Sequence, residues 1–195
     1  MARPAVFLDR DGTIVREVDY LRSPREMRLL PRAAEGVRRL NEAGFAVVLA
    51  TNQSGIARGL LSEDDLVDIH EALQRRLSKR GAHLDGIYYC PHHPAGSVSR
   101  YRRRCACRKP APGMLLRAAR ELDLYLSRSF AVGDSERDVT AGRRAGCHTV
   151  LVRTGYGADT EKRFGCEIGV DHVADDLLDA VLWVLGHRET RRRPT

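Results

Sequence analysis

The chain has 195 residues, 43% hydrophobic and 30% charged, enough for one domain with a sizeable core. No apolar run approaches the roughly 18 residues of a membrane span. No 7–15-residue apolar stretch precedes Asp9 as an export signal would, and the composition excludes collagen-like, coiled-coil and disordered classes. The formal net charge is +7, and lysine occurs only at Lys79, Lys109 and Lys162, so the basic excess is arginine.

Ala5 to Leu8 is a short apolar run ending at Asp9. Residues 31–43 read as an amphipathic helix, with Pro31 in its first turn and Gly44 as its stop. Phe45 to Ala50 reads as a buried strand. Ser62 opens the next helix, with Asp65 placed for a near-capping box, and that helix runs to Arg80. Gly86 to Tyr89 is a third strand, and Cys90 to Pro112 an irregular stretch. A helix over 113–122, a strand over 130–133, a helix over 135–145, a strand over 149–152 and a closing helix over 176–185 follow. Residues 1–186 are expected to form one domain, and 187–195 a basic, disordered tail.

Solid apolar strands alternating with helices predict an open α/β fold, a parallel sheet with helices on both faces. Such sheets bind ligands at the carboxyl ends of their strands. Four strand ends carry polar groups: Asp9 to Thr13, Thr51 to Gly55, Cys90 to Pro94, and Asp134 to Asp138.

Asp9 and Asp11, two apart at a strand end, point to one side of an extended segment. Two close carboxylates repel unless a cation lies between them or one is protonated. Mg²⁺ takes one or two carboxylates plus phosphate oxygens, and such a pair can divide attack on phosphorus from proton transfer. A surface turn would look the same in isolation. Thr51 and the Ser54-Gly55 turn offer hydroxyls and N–H groups to phosphate oxygens, although such a turn is also ordinary loop chemistry. Lys109, in an arginine-rich chain, suits point-charge neutralisation of a phosphoryl group. Asp134 and Asp138 share a face if a helix starts there, in a functional role or as helix caps.

In this order the motifs resemble the haloacid dehalogenase superfamily of phosphohydrolases. The resemblance implies that Asp9 is a nucleophile forming an aspartyl-phosphate. Asp11 would protonate the leaving oxygen and then activate water. Thr51 and Lys109 would steady the phosphoryl group. Asp134, with Asp9 and the backbone of Asp11, would bind Mg²⁺.

Cys90, His92, Cys105 and Cys107 present two ligand pairs across 12 intervening residues, a set suited to tetrahedral Zn²⁺. His93 is the rival nitrogen ligand. Four protein ligands leave no open position, so a structural zinc is expected, pinning the loop 90–108 and presenting Arg108 and Lys109. Cys147 and Cys166 stand alone and read as packed, inert thiols.

This loop, with Leu84 to Val98, Cys105 to Pro110, Thr51 to Gly59 and Leu151 to Gly155, resembles the heptose bisphosphate phosphatase family, a zinc-loop branch without a large cap domain. The resemblance spans residues 5–155. It implies removal of the C7 phosphate of a heptose 1,7-bisphosphate in nucleotide-activated heptose biosynthesis, on the way to lipopolysaccharide precursors. The enzyme would be a cytoplasmic monomer with a small-molecule substrate and no nucleic-acid or membrane partner. Substrate contacts would fall on Arg10, Glu17, Val18, Asp19, Tyr20, Asn52, Gln53, Ser54 and Arg108. Ser135 departs from the Lys that relatives carry there. Histidinol-phosphate phosphatase shares the aspartates and zinc, but the 14 residues between Cys90 and Cys105 favour the heptose enzymes. The basic charge suggests a nucleic-acid 3′-phosphatase, but Tyr88, Tyr89 and Tyr101 are too few for a stacking surface.

Overall fold

A computed structural model of the chain describes residues 2–190. In chain order the elements are β1 (Ala5–Leu8), α1 (Ala33–Glu42), β2 (Ala46–Asn52), α2 (Ser54–Ala57), α3 (Glu63–Ser78) and β3 (Gly86–Cys90). They continue with α4 (Gly113–Glu121), β4 (Phe130–Gly133), α5 (Glu136–Ala145), β5 (His148–Val152), α6 (Gly157–Phe164), β6 (His172–Ala174) and α7 (Leu177–Thr190).

The six strands form one sheet in the order β3-β2-β1-β4-β5-β6, and every pairing is parallel. The order reverses at β1, so the crevice for a ligand opens where β1 and β4 end. The pleat sorts side chains between two cores. Val6 and Leu8 pack with α1, α3 and α7 on one face, while Ala5 and Phe7 pack with α4 on the other. Both faces are thus covered by helices, as the apolar strands predict. One helix or, between β2 and β3, two helices link successive strands, and no large cap domain is present among the described residues.

Local chemistry places the helix starts. Ser62 Oγ accepts from the Asp65 N–H at 3.0 Å and the Ser62 N–H donates to Asp65 Oδ2 at 2.8 Å, completing the capping box of α3. Asp138 Oδ2 accepts from the Ser135 N–H at 3.1 Å and from Ser135 Oγ at 2.6 Å, which fixes the first turn of α5.

Four expectations are revised. β2 continues through Thr51 and Asn52, because their pairing with Tyr89 and Cys90 extends the ladder beyond the apolar run. The one-turn α2 lies in the expected Thr51–Gly55 turn region. α6 and the three-residue β6 were not expected; β6 is ordered by pairing with β5 and leaves little hydrophobic pattern in three residues. α7 runs to Thr190, past the expected start of the tail at residue 187. Residues 191–195 of that tail lie outside the described residues. No helix among the described residues is long and apolar enough to cross a membrane.

Candidate active site

β1 delivers Asp9 to the carboxyl end of the sheet, where its N–H donates to the Val132 carbonyl at 3.0 Å. Asp134 follows β4, next to β1. Its carboxylate accepts from the Tyr156 N–H at 2.8 Å and lies against backbone. A Cβ at Gly12 or Gly155 would come within 1.9 or 2.1 Å of Asp134 Oδ2, and both glycines have positive φ. Only glycine allows this close approach.

Lys109 reaches the same point from the irregular loop. Its Nζ is 3.0 Å from Asp9 Oδ1 and 2.5 Å from Asp138 Oδ1, and it donates to the Ala50 carbonyl at 2.7 Å. Its backbone is held by Asn52: Lys109 N–H donates to Asn52 Oδ1, and Asn52 Nδ2 donates to the Lys109 carbonyl, each at 3.0 Å. Burial works against the ammonium charge, but Asp138 and Asp9 outweigh it and hold Lys109 above its ordinary range.

The carboxylate oxygens of Asp9, Asp134 and Asp138 lie within 4.8 Å of one another. Burial pushes Asp9 up to about 6 against the pull of Lys109, with Asp138 and Asp11 adding to the rise. Burial, with Asp138 and Asp9, pushes Asp134 up to about 8. Three crowded carboxylates facing one ammonium therefore suit a hard cation held by oxygen.

The Asp11 carboxylate is not part of this cluster. Arg10 donates to it through Nε at 3.0 Å and Nη2 at 2.8 Å, and Gln53 Nε2 donates at 3.0 Å. The expected magnesium contact of Asp11 is through its backbone, which these side-chain bonds leave available. Asp138, four residues beyond Asp134, takes the third place, but its oxygens are already committed to Lys109 and Ser135. Gln53 also donates to Thr51 Oγ1 at 2.9 Å, so Arg10, Asp11, Gln53 and Thr51 form one network.

These residues wall a cavity of about 210 Å³. Glu17, Asp19, Tyr20, Asn52, Ser54 and Arg108 also line it. Val18 is not among the lining residues and is 42% exposed. Arg10 is only 1% exposed, with its guanidinium turned into the network. Burial, with Asp11, pushes Glu17 up to about 7, so its carboxyl offers both a donor and an acceptor near neutrality. Residue reading from the sequence left Arg137 and Tyr156 out of the cavity wall. Tyr156 works through its backbone N–H, which leaves no side-chain signal.

Cys90, His92, Cys105 and Cys107 converge at the edge of the sheet. The three Sγ atoms are 3.1, 3.2 and 3.4 Å apart, and His92 Nδ1 is 3.4 Å from Cys107 Sγ and 3.7 Å from Cys90 Sγ. Zn–S bonds of about 2.3 Å set edges of about 3.7 Å in a tetrahedron, so a small expansion accommodates an ion. Side-chain hydrogen bonding with Cys90, and then with Cys105 and His92, draws the Cys107 thiol down to about 5 against its burial, favouring a thiolate. His93 instead accepts from the Ala95 N–H at 3.1 Å, and is not one of the converging groups. Arg108 Nη1 donates to the His92 carbonyl at 3.2 Å, tying that guanidinium to the cluster. Cys147 is buried, and the Cys166 side chain lies outside the described residues.

A strand-end aspartate, a lysine paired to it and a carboxylate cluster at the switch point of a parallel sheet define a hydrolase of the haloacid dehalogenase class, and a HAD-hydrolase-like family model matches residues 106–180. Curated relatives include D-glycero-β-D-manno-heptose-1,7-bisphosphate 7-phosphatase of Photorhabdus laumondii, 44% identical over 88% of this chain and 92% of its own length. The D-glycero-D-manno-heptose-1,7-bisphosphate 7-phosphatase of Thermosynechococcus vestitus is 43% identical over 98% of this chain and all of its own. A crystal structure of D,D-heptose 1,7-bisphosphate phosphatase from B. bronchiseptica, complexed with magnesium and phosphate, superposes with a TM-score of 0.84 at 40% identity, covering 96% of this chain and 99% of that one. The chain belongs to the D-glycero-D-manno-heptose-1,7-bisphosphate 7-phosphatase family.

Proposed function

We propose that the chain hydrolyses the C7 phosphate of D-glycero-D-manno-heptose 1,7-bisphosphate, with magnesium, through an aspartyl-phosphate on Asp9. The observation that carries this reading is the Asp9 carboxylate held 3.0 Å from Lys109 at the wall of a polar cavity. Similarity to heptose bisphosphate phosphatases supports the substrate, and the magnesium and phosphate of the B. bronchiseptica structure support the metal.

An Asp9 oxygen attacks phosphorus and the bond to the C7 oxygen breaks. Asp11 gives that oxygen a proton. Asp11 then takes a proton from water, whose oxygen attacks phosphorus; the bond to Asp9 breaks and inorganic phosphate leaves. Both Asp11 oxygens accept hydrogen bonds here, so Asp11 must leave the Arg10–Gln53 clamp to carry the proton. Lys109 and Thr51 steady the phosphoryl oxygens, and Asp138 positions Lys109. Asp9, Asp134 and the backbone of Asp11 would hold Mg²⁺, which when bound neutralises charge between the carboxylates and the phosphoryl group. Cys90, His92, Cys105 and Cys107 would hold a structural Zn²⁺. Glu17, Asp19, Tyr20, Asn52, Gln53, Ser54 and Arg108 surround the sugar.

Phosphate release from the heptose bisphosphate, histidinol phosphate and 3′-phosphorylated DNA tests the reading. The heptose bisphosphate is expected to have the highest kcat/KM, and faster turnover of either rival defeats the proposal. Arg108→Ala should lower kcat/KM for the bisphosphate by about ten- to a hundredfold, the range for one charge-assisted hydrogen bond.

A further inference from the structure

The backbone of Tyr156 serves Asp134, and its side chain serves a different part of the cavity. Tyr156 caps the start of α6. Its N–H donates to Asp134 Oδ2 at 2.8 Å, and its carbonyl accepts from the Thr160 N–H at 2.9 Å. Gly157 follows so tightly that a Cβ there would lie 1.6 Å from the Val152 carbonyl oxygen. A backbone held at both polar groups fixes where the side chain starts. The phenol hydroxyl donates to Asp19 Oδ1 at 3.3 Å, joining the loop after β5 to the segment after β1. Burial, with Glu17 and Asp19, raises the phenol above its ordinary range, so both carboxyls act on it and it remains a donor at neutral pH.

Asp19 is held from its own side. Its φ is 61°, a left-handed conformation that aspartate tolerates better than most residues. The Tyr20 N–H donates to the Val18 carbonyl at 2.8 Å and closes a tight turn around it. A carboxylate has about four acceptor sites, and the Tyr156 hydroxyl uses one of them. Of the residues that line the cavity, Tyr20 and Tyr156 are aromatic. Tyr20 is packed against Gly55, where a Cβ would lie 3.3 Å from its ring. Tyr156 is 46% exposed and offers open ring surface. A sugar presents hydroxyls at its edges and C–H groups on its faces, and an aromatic ring with a polar tip meets both.

We propose that Tyr156 is a specificity-determining residue, its ring packing on the carbon face of the sugar while its hydroxyl holds Asp19 in place to accept a sugar hydroxyl. This rests on the sugar-phosphatase reading above and adds to it a contact from the loop after β5. The transferring phosphoryl group meets Asp9 and Lys109 whatever it is attached to, whereas the ring of Tyr156 meets the leaving group. A phosphate ester without a sugar gains nothing from that ring.

The test compares the heptose 1,7-bisphosphate with ethyl phosphate, which can reach Asp9 but has no sugar face. Tyr156→Ala should lower the ratio of kcat/KM for the sugar over ethyl phosphate about five- to tenfold, with the loss on the sugar carried by KM. Tyr156→Phe keeps the ring and loses the Asp19 bond, so the ratio should fall only about twofold. Tyr156→Leu keeps bulk without a ring and should behave like alanine. Tyr156→Phe combined with Asp19→Asn should lose no more than Asp19→Asn alone, because the hydroxyl acts through that carboxylate. Calorimetric binding of the heptose bisphosphate in an Asp9→Asn background should give the same order without turnover. Equal losses on both substrates, a loss confined to kcat, or a leucine variant that matches phenylalanine overturns the ring contact, and additive losses in the double variant overturn the role through Asp19. If the wild type does not turn over the heptose bisphosphate, the function reading fails, and the binding order still decides the contact. Unchanged affinity in the alanine variant, or no binding to lose, overturns it.

Discussion

Asp9, Asp134 and Asp138 sit at the ends of central strands and the start of a helix, whereas Cys90, His92, Cys105 and Cys107 sit at an edge strand and the irregular loop after it. The first group inherits its positions from the sheet. Neighbouring strands fix Asp9 and Asp134, and Gly12 and Gly155 let backbone close round the Asp134 carboxylate. The second group has little regular structure to lean on, and in the proposed reading a metal held by its ligands would supply the rigidity of the segment that carries Arg108 and Lys109. The chemistry divides the same way. Carboxylates crowded with one ammonium keep uncompensated charge facing a cavity. Three sulfurs and one imidazole nitrogen turned toward one another match a four-ligand site with no open position. A rigid frame can hold an unfavourable charge arrangement open for substrate.

The sharpest way to break the comparison is at Asp9. Asp9→Asn keeps the shape of the strand end and removes the proposed nucleophile, so kcat should fall at least about a thousandfold with an unchanged far-ultraviolet dichroism spectrum. Retention of a tenth of wild-type kcat would show that attack does not come from this residue.

A smaller effect is expected in the loop. Metal analysis should find about one zinc per chain, as one four-ligand site requires. Cys105→Ser should lose that zinc and lower kcat/KM about ten- to a hundredfold, because Arg108 and Lys109 lose their anchor while Asp9 is untouched. Wild-type zinc content or wild-type activity in this variant refutes the pinning role.

The smallest effect separates the carboxylates from everything else by pH. In Mg²⁺-free buffer the folded chain holds the Asp134 proton to about pH 8 and the Glu17 proton to about pH 7, where the unfolded chain has already lost both. At these two groups the folded state then binds more protons, so their contribution to stability falls as pH rises from 6.5 to 8, while Cys107, drawn down to about 5, contributes the opposite slope. Below 6.5 the opposite contribution of His70, buried and pushed down to about 3, enters. Measured as wild type minus Asp134→Asn, which leaves Cys107 and His70 common to both, Tm should fall by a few degrees across the upper window, at about 2–4 °C per kcal/mol for this chain length. Added Mg²⁺ should reverse the fall, more at pH 8 than at pH 6.5. A difference that rises with pH through this window contradicts the charge balance drawn for the cluster.

The parallel sheet, its central strands and most helices were legible because an apolar run four to seven residues long and a capping serine are local signals. The motif positions of Asp9, Lys109 and Asp134 were legible for the same reason: each lies just after a strand or just before a helix. The Cys-x-His and Cys-x-Cys pairs named four ligands with one rival, and only the folded loop turned His92 inward and left His93 on the Ala95 amide. Tertiary structure alone decided that Asp11 faces Arg10 and Gln53 while Asp138 meets Lys109, since both outcomes depend on groups tens of residues apart in sequence. It alone ordered β6, which is too short to carry a pattern and exists by pairing with β5. It also brought Arg108 and Arg137, from the loop and from α5, to the wall of one cavity. Residue types and local spacing are written along the chain, but which charges compensate one another depends on distances that only packing sets.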